Sequence, residues 1–140
     1  MNIYFSGSIR GGRDDVAFYY DLIKELKKHG HVLTEHIGDS LLNGAGEPGM
    51  TDREIHDRDV EWLKSADCVV AEVTSPSHGV GYEIGRAVEW GKPTLCLFRQ
   101  VKGRRLSAMI AGNDALTARE YTSRDDLATL LNQFFARFED

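Results

Sequence analysis

The sequence predicts a doubly wound α/β domain, a parallel sheet with helices on both faces. Two observations predict it. Short apolar runs alternate with helical patterns five times along the chain, and that alternation makes parallel strands joined by crossover helices. The chain has 140 residues with no repeat, linker or low-complexity stretch, which is the size of one domain, spanning residues 1–140.

Each element has a local reason. Residues 2–6 are a short β-rich run, the first strand. Val16, Tyr19, Tyr20, Ile23 and Leu26 then recur at helical spacing, and Gly30 stops that helix. Residues 31–34 make the second strand, and residues 38–50, rich in Gly and without a period, make a long loop. Thr51 and Glu54 have the spacing of a capping box, opening a helix that runs to about Lys64. Residues 67–73 are an apolar strand, 79–91 contain the third helix, and 94–98 form the fourth strand. A short helix at 106–111 and a fifth strand near 118–121 follow. Ser123 and Asp126 open the last helix, with Leu127, Leu130, Leu131, Phe134, Phe135 and Phe138 on one face. The expected strand order is the flavodoxin-like 2-1-3-4-5. Ligands of such sheets bind beyond the carboxyl ends of the strands, where the order reverses. That crevice lies between the loops at 7–13 and 74–81.

Composition narrows the function. The net charge of −5 argues against a nucleic-acid polymer as partner. A single phosphate on a small ligand remains compatible, because local dipoles can hold it. Cys68 and Cys96 sit in apolar runs and read as reduced core residues. No stretch approaches the ~20 apolar residues of a membrane span, and no signal segment precedes the first strand. A cytoplasmic protein with no membrane partner is expected. The histidines show no ligand spacing, so neither metal nor cofactor is expected.

The two loops at the crevice carry the chemistry. In the first, Gly7, Gly11 and Gly12 let the backbone approach a ligand, while Ser8 and the N–H groups can hold an anion. The bland alternative is a flexible turn. The glycine spacing is not that of a dinucleotide site. In the second, Gly79 and Gly81 lead into a helix start, where a phosphate can sit with the Ser77 hydroxyl. Glu83 falls in the first turn of that helix, whose dipole should keep it ionised, as a carboxylate nucleophile requires. Alone, it reads more readily as a Glu that merely favours a helix start. Asp59 changes the balance. It lies four residues from Ile55 and three from Trp62, on the apolar face of the second helix. A carboxylate there is either paired structurally or part of a site. Arg58 is expected to face away, leaving Arg86 as the nearest structural partner. A Glu and an Asp converging on one crevice suit glycosidic chemistry. His36 opens the long loop within reach of a ligand, His56 reads as a satisfied interfacial histidine, and residues 102–105 read as a solvated turn.

These motifs together resemble the 2′-deoxynucleoside 5′-phosphate N-hydrolases, within the nucleoside 2-deoxyribosyltransferase-like superfamily. The stretches YFSGSIRGG at 4–12, TEH at 34–36, IHDRDVEWL at 55–63, AEVTSPSHGVGYEIGR at 71–86 and LSAMI at 106–110 carry the resemblance. It covers nearly the whole chain, in order. It implies a homodimer that hydrolyses a deoxynucleotide, a small-molecule substrate, to free base and 2-deoxyribose 5-phosphate. Glu83 matches the nucleophile, Asp59 its partner carboxylate and Tyr4 the tyrosine beside the sugar. Gly7, Ser8, Ile9, Arg10, Gly11, Gly12, Arg13, Ser77 and Gly79 match phosphate-binding positions. Ser107, with Met109 near it, matches a serine that reaches the phosphate from the other subunit. Tyr4, Ser107 and the dimer rest on the resemblance alone. Two other readings stay open: a transferase that exchanges bases, and a non-catalytic nucleotide-binding module on the same fold.

Overall fold

A computed structural model describes residues 1–8, 16–38 and 49–139. Five strands form one parallel sheet in the order β2-β1-β3-β4-β5, as the sequence predicts. The strands are β1 (Asn2–Ser6), β2 (His31–Val32), β3 (Cys68–Glu72), β4 (Thr94–Arg99) and β5 (Thr117–Tyr121). The helices are α1 (Val16–Leu26), α2 (Asp52–Ser65), α3 (His78–Glu89), α4 (Ala108–Ala111) and α5 (Arg124–Phe135). Among the described residues no helix is long and apolar enough to cross a membrane.

Alternation along the strands sorts the core into two faces. Ile3, Phe5, Cys68, Val70, Leu95 and Leu97 meet α1 and α5 through Tyr19, Leu22, Leu127 and Leu131. On the opposite face Tyr4 and Val69 pack with Leu63 and Ala87. Ala71, Val73, Cys96 and Phe98 pack with Val80 and Ile84. Cys68 and Cys96 therefore stand on opposite faces, both buried and unbridged. Burial pushes each thiol up to about 12, which fits the reduced core residues expected.

Local differences from the sequence prediction have physical reasons. The second strand is two residues long rather than four, because Thr34 takes over the ladder with its side chain. Its hydroxyl accepts from Phe5 N at 2.9 Å and donates to Phe5 O at 2.6 Å. The chain is then free to turn into a 3-10 segment, Glu35–Gly38. In α1 the buried stripe is Tyr19, Leu22, Ile23 and Leu26, while Tyr20 is turned out to solvent. Gly30 owes its place to close approach: a Cβ there would stand 2.5 Å from the Met1 carbonyl oxygen. The capping box forms as expected, with Thr51 Oγ1 accepting from Glu54 N and Glu54 Oε1 accepting from Thr51 N, both at 3.1 Å.

Candidate active site

The pleat of β1 places two hydroxyls on the face covered by α2 and α3. Tyr4 and Ser6 alternate with Ile3 and Phe5, so both point towards Glu83 on α3. The Tyr4 hydroxyl donates to Glu83 Oε2, and Ser6 Oγ donates to Oε1 at 3.2 Å. Both hydroxyl residues are fully buried. Tyr4 and Glu83 are thus brought together. The Ser6 side chain was not among the expected site residues, although the period of two that carries Tyr4 carries Ser6 with it.

Glu83 corrects one expectation. It is the sixth residue of α3, in the second turn, because the helix begins at His78. A helix dipole contributes about 0.3–1 kcal/mol, and its effect fades beyond the first turn. Burial outweighs it and pushes the Glu83 carboxyl up to about 8. At pH 7 about one molecule in ten then carries the charge. The free site holds a largely protonated Glu83, not the ionised one the sequence suggests.

The anion-binding elements stand nearby. Ser77 is the N-cap of α3, its Oγ accepting from Val80 N at 3.3 Å. Gly79 lies exposed in the first turn, where helix N–H groups have no partner within the helix. Gly7 is required by space: a Cβ would meet the Tyr19 ring at 3.1 Å and the Phe5 ring at 3.2 Å. Ser8 N donates to the Tyr19 hydroxyl at 3.0 Å. Ser8 Oγ is buried and makes no hydrogen bond among the described residues. Ile9, Arg10, Gly11, Gly12 and Arg13 lie outside the described residues, as does most of the 38–50 loop.

A second group gathers on α2. Arg58 donates to Asp59 Oδ1 from Nε at 3.0 Å and from a terminal nitrogen at 2.9 Å. The expectation that Arg58 faces away is therefore wrong. Its guanidinium carbon lies 4.6 Å over the Trp62 ring, which holds the side chain folded back along the helix beside Asp59. Arg86 instead lies over Trp90 and Tyr82. His36 joins the group, 3.4 Å from an Arg58 nitrogen and with its ring 5.6 Å from that of Trp62. Asp59 is about three-quarters buried, its side chain 23% exposed, which agrees with its place on the inner face of α2. His56 bridges to the Tyr82 hydroxyl at 3.0 Å, the interfacial role expected.

Ser107 caps the short helix α4 by accepting from Met109 N at 3.2 Å. Leu106 and Ile110 anchor that helix on the apolar cluster of Val73, Val80 and Ile84, so it stands beside α3. Met109 is 83% exposed. The solvated turn expected at 102–105 is only partly so: Arg104 donates to Thr74 O and to Ser75 Oγ, both at 3.0 Å. Its neighbours gave no sign of this, since the carbonyl it reaches lies 30 residues away in sequence. Among the described residues no group of three or more His, Cys, Asp or Glu could hold a metal ion.

Comparison with known proteins adds four findings. The family model for nucleoside 2-deoxyribosyltransferase matches residues 3–126. A 5-hydroxymethyl-dUMP N-hydrolase of Tetraodon nigroviridis is 52% identical over 140 residues, covering 97% of this chain and 98% of the relative. One of the same name from Danio rerio is 51% identical over 138 residues, covering 96% of each. Among solved structures, a CMP N-glycosidase of Clostridium botulinum superimposes with a TM-score of 0.67 at 17% identity, covering 96% of this chain and 99% of that one. At that identity the match speaks for the fold.

Proposed function

The chain belongs to the nucleoside 2-deoxyribosyltransferase family, and from that premise we propose that it hydrolyses the N-glycosidic bond of 2′-deoxynucleoside 5′-monophosphates, releasing free base and 2-deoxyribose 5-phosphate. It is an enzyme of the glycosidase type, as relatives at about 50% identity are N-hydrolases. The observation that carries the mechanism is the carboxyl of Glu83 held between the Tyr4 and Ser6 hydroxyls at the carboxyl end of β1.

Glu83 loses its proton to solvent as substrate binds, and its oxygen attacks C1′. The C1′–N bond breaks, and its electron pair leaves with the base, which takes up a proton. Positive charge develops on the sugar, and a carboxylate beside it is stabilising at that moment. The two hydroxyls favour the ionised Glu83 that burial opposes. Water then attacks C1′ as the bond to Glu83 breaks, its released proton passing to solvent, and 2-deoxyribose 5-phosphate leaves. Asp59, oriented by Arg58, relays a proton from solvent to the leaving base. Tyr4 crowds the place a 2′-hydroxyl would take.

The 5′-phosphate is held by the start of α3 with Ser77 and Gly79, and by the loop from Gly7 to Arg13. A buried Ser8 hydroxyl with no partner among the described residues supports that reading, because buried polar groups ordinarily find one. Ser107 and Met109 complete the site of a second copy of the chain, and the exposure of Met109 beside Ser107 favours it. Mixing Glu83→Ala with Ser107→Ala subunits tests this: refolded together they regain roughly a quarter of wild-type activity if Ser107 acts in trans, and none if it acts in cis. The same proposal puts the enzyme in the cytoplasm, a reading that its two free, buried cysteines favour.

The decisive experiment is Glu83→Ala, assayed for release of free base from the four deoxynucleoside monophosphates. Turnover falls by at least ~10³-fold while thermal unfolding stays cooperative. Activity within tenfold of wild type removes Glu83 from the role. The transferase reading, suggested by the family description, predicts base exchange when a second free base is added.

A further inference from the structure

Glu72, the last residue of β3, is a fully buried carboxylate that the reaction above does not use. It alternates with Cys68 and Val70, so it points to the α1/α5 face, away from Glu83. Its partners gather on one short segment. Oε1 accepts from Thr74 N at 2.7 Å, and Oε2 accepts from Thr74 Oγ1 at 2.9 Å. Tyr121, at the end of β5, also donates its hydroxyl to Oε2. Thr74 Oγ1 in turn accepts from Arg99 N at 2.8 Å. From outside, Arg104 holds the Thr74 carbonyl and the Ser75 hydroxyl. Residues from β3, β4 and the loop before α4 thus converge on Thr74 and Ser75, with Tyr121 of β5 backing Glu72. Two residues beyond Ser75 stands Ser77, the N-cap of α3.

We propose that Glu72 is a positioning residue for the phosphate-binding end of α3, acting through Thr74 to set where Ser77 and the first N–H groups of the helix stand. This rests on the reading that the substrate's 5′-phosphate is held there. An apolar residue at position 72 would continue the pattern of Cys68 and Val70 and would fill the core. What the carboxylate adds is two acceptor oxygens, both turned onto the first residue of the connection after Val73. The Tyr121 phenol is pushed above its usual range, first by burial and then by Glu72, so it stays a donor to that carboxylate. A misplacement of about 1 Å in a binding loop can cost up to 10²-fold in rate. A clamp two or three residues ahead of the phosphate donors is therefore felt in phosphate recognition before it is felt at Glu83.

The test uses Glu72→Gln, which keeps the volume but puts an NH2 group where one acceptor oxygen stood. It is measured with Tyr121→Phe and with Arg104→Ala, whose exposed position spares the fold. For each protein kcat and KM are determined on a deoxynucleoside monophosphate and on the same deoxynucleoside without phosphate, and inorganic phosphate is titrated as inhibitor. In Glu72→Gln, kcat/KM on the monophosphate falls by roughly 10- to 100-fold, mainly through KM, and phosphate inhibits correspondingly less. Turnover of the unphosphorylated nucleoside stays within about threefold of wild type. Tyr121→Phe and Arg104→Ala move the same way by less, and they carry the test should Glu72→Gln fail to fold. Equal losses on both substrates, or unchanged phosphate inhibition, overturn the assignment to Glu72. A wild-type enzyme that does not distinguish the two substrates overturns the phosphate site itself.

Discussion

Replacing Glu83 by Gln removes a titrating carboxyl and nearly keeps its shape, and it should make stability less dependent on pH. In the folded chain burial holds Glu83 at about 8, against an ordinary value of 4.5. Between these values the folded state keeps a proton that the unfolded state has released. The folded chain binds more protons, so wild-type stability falls as pH rises, by about 1.4 kcal/mol per pH unit. The window spans 8 − 4.5, about 3.5 pH units, which amounts to on the order of 5 kcal/mol. Below pH 4.5 the effect is absent, and above pH 8 it is complete and levels off. The Glu83→Gln variant lacks this slope. Urea unfolding of both proteins at pH 5, 6, 7, 8 and 9 gives the difference directly. Variant minus wild type should grow steadily through the window and flatten above pH 8. A difference that does not change with pH would refute the reasoning: Glu83 would then ionise like an exposed carboxylate.

The same titration should govern catalysis. Above pH 6.5, where the substrate phosphate has passed its second pKa of about 6, kcat/KM should rise through a midpoint near pH 8 and level off about a unit higher, since it reports the free enzyme; a flat profile would contradict a required Glu83 carboxylate. Gly7→Ala should lose about 1–3 kcal/mol, because its Cβ would press on the Tyr19 and Phe5 rings; urea midpoints at constant slope check this, and an unchanged midpoint would show that the rings give way freely. Cys68 and Cys96, buried and held at about 12, should resist a thiol reagent at pH 8 in the folded protein and react together on unfolding. Rapid labelling of either in native buffer would show that its strand opens locally.

The candidate site was legible where one element carries the signal. Glu83, Ser77 and Gly79 lie on a single loop and helix, and the glycines mark the turn. Asp59 was visible as a carboxylate on an apolar helix face. Arg58 was misplaced because periodicity describes where a Cβ points and says nothing of a long side chain that curls back over Trp62. Arg104 and Glu72 were missed for another reason: Arg104 reaches a carbonyl 30 residues away, and Glu72, beside its bonds to Thr74, takes the Tyr121 hydroxyl from 49 residues away on another strand.

The sequence by itself determined the class of fold and the strand order. Those follow from alternation of elements and from the handedness of their connections, which are properties of consecutive residues. It also determined which residue types could act. Only the tertiary structure decided their state. Ser6 joined the site because β1 and α3 meet across the sheet face, and Glu83 keeps its proton because that meeting removes it from water. Desolvation depends on every neighbour at once, and most of those neighbours are distant in sequence.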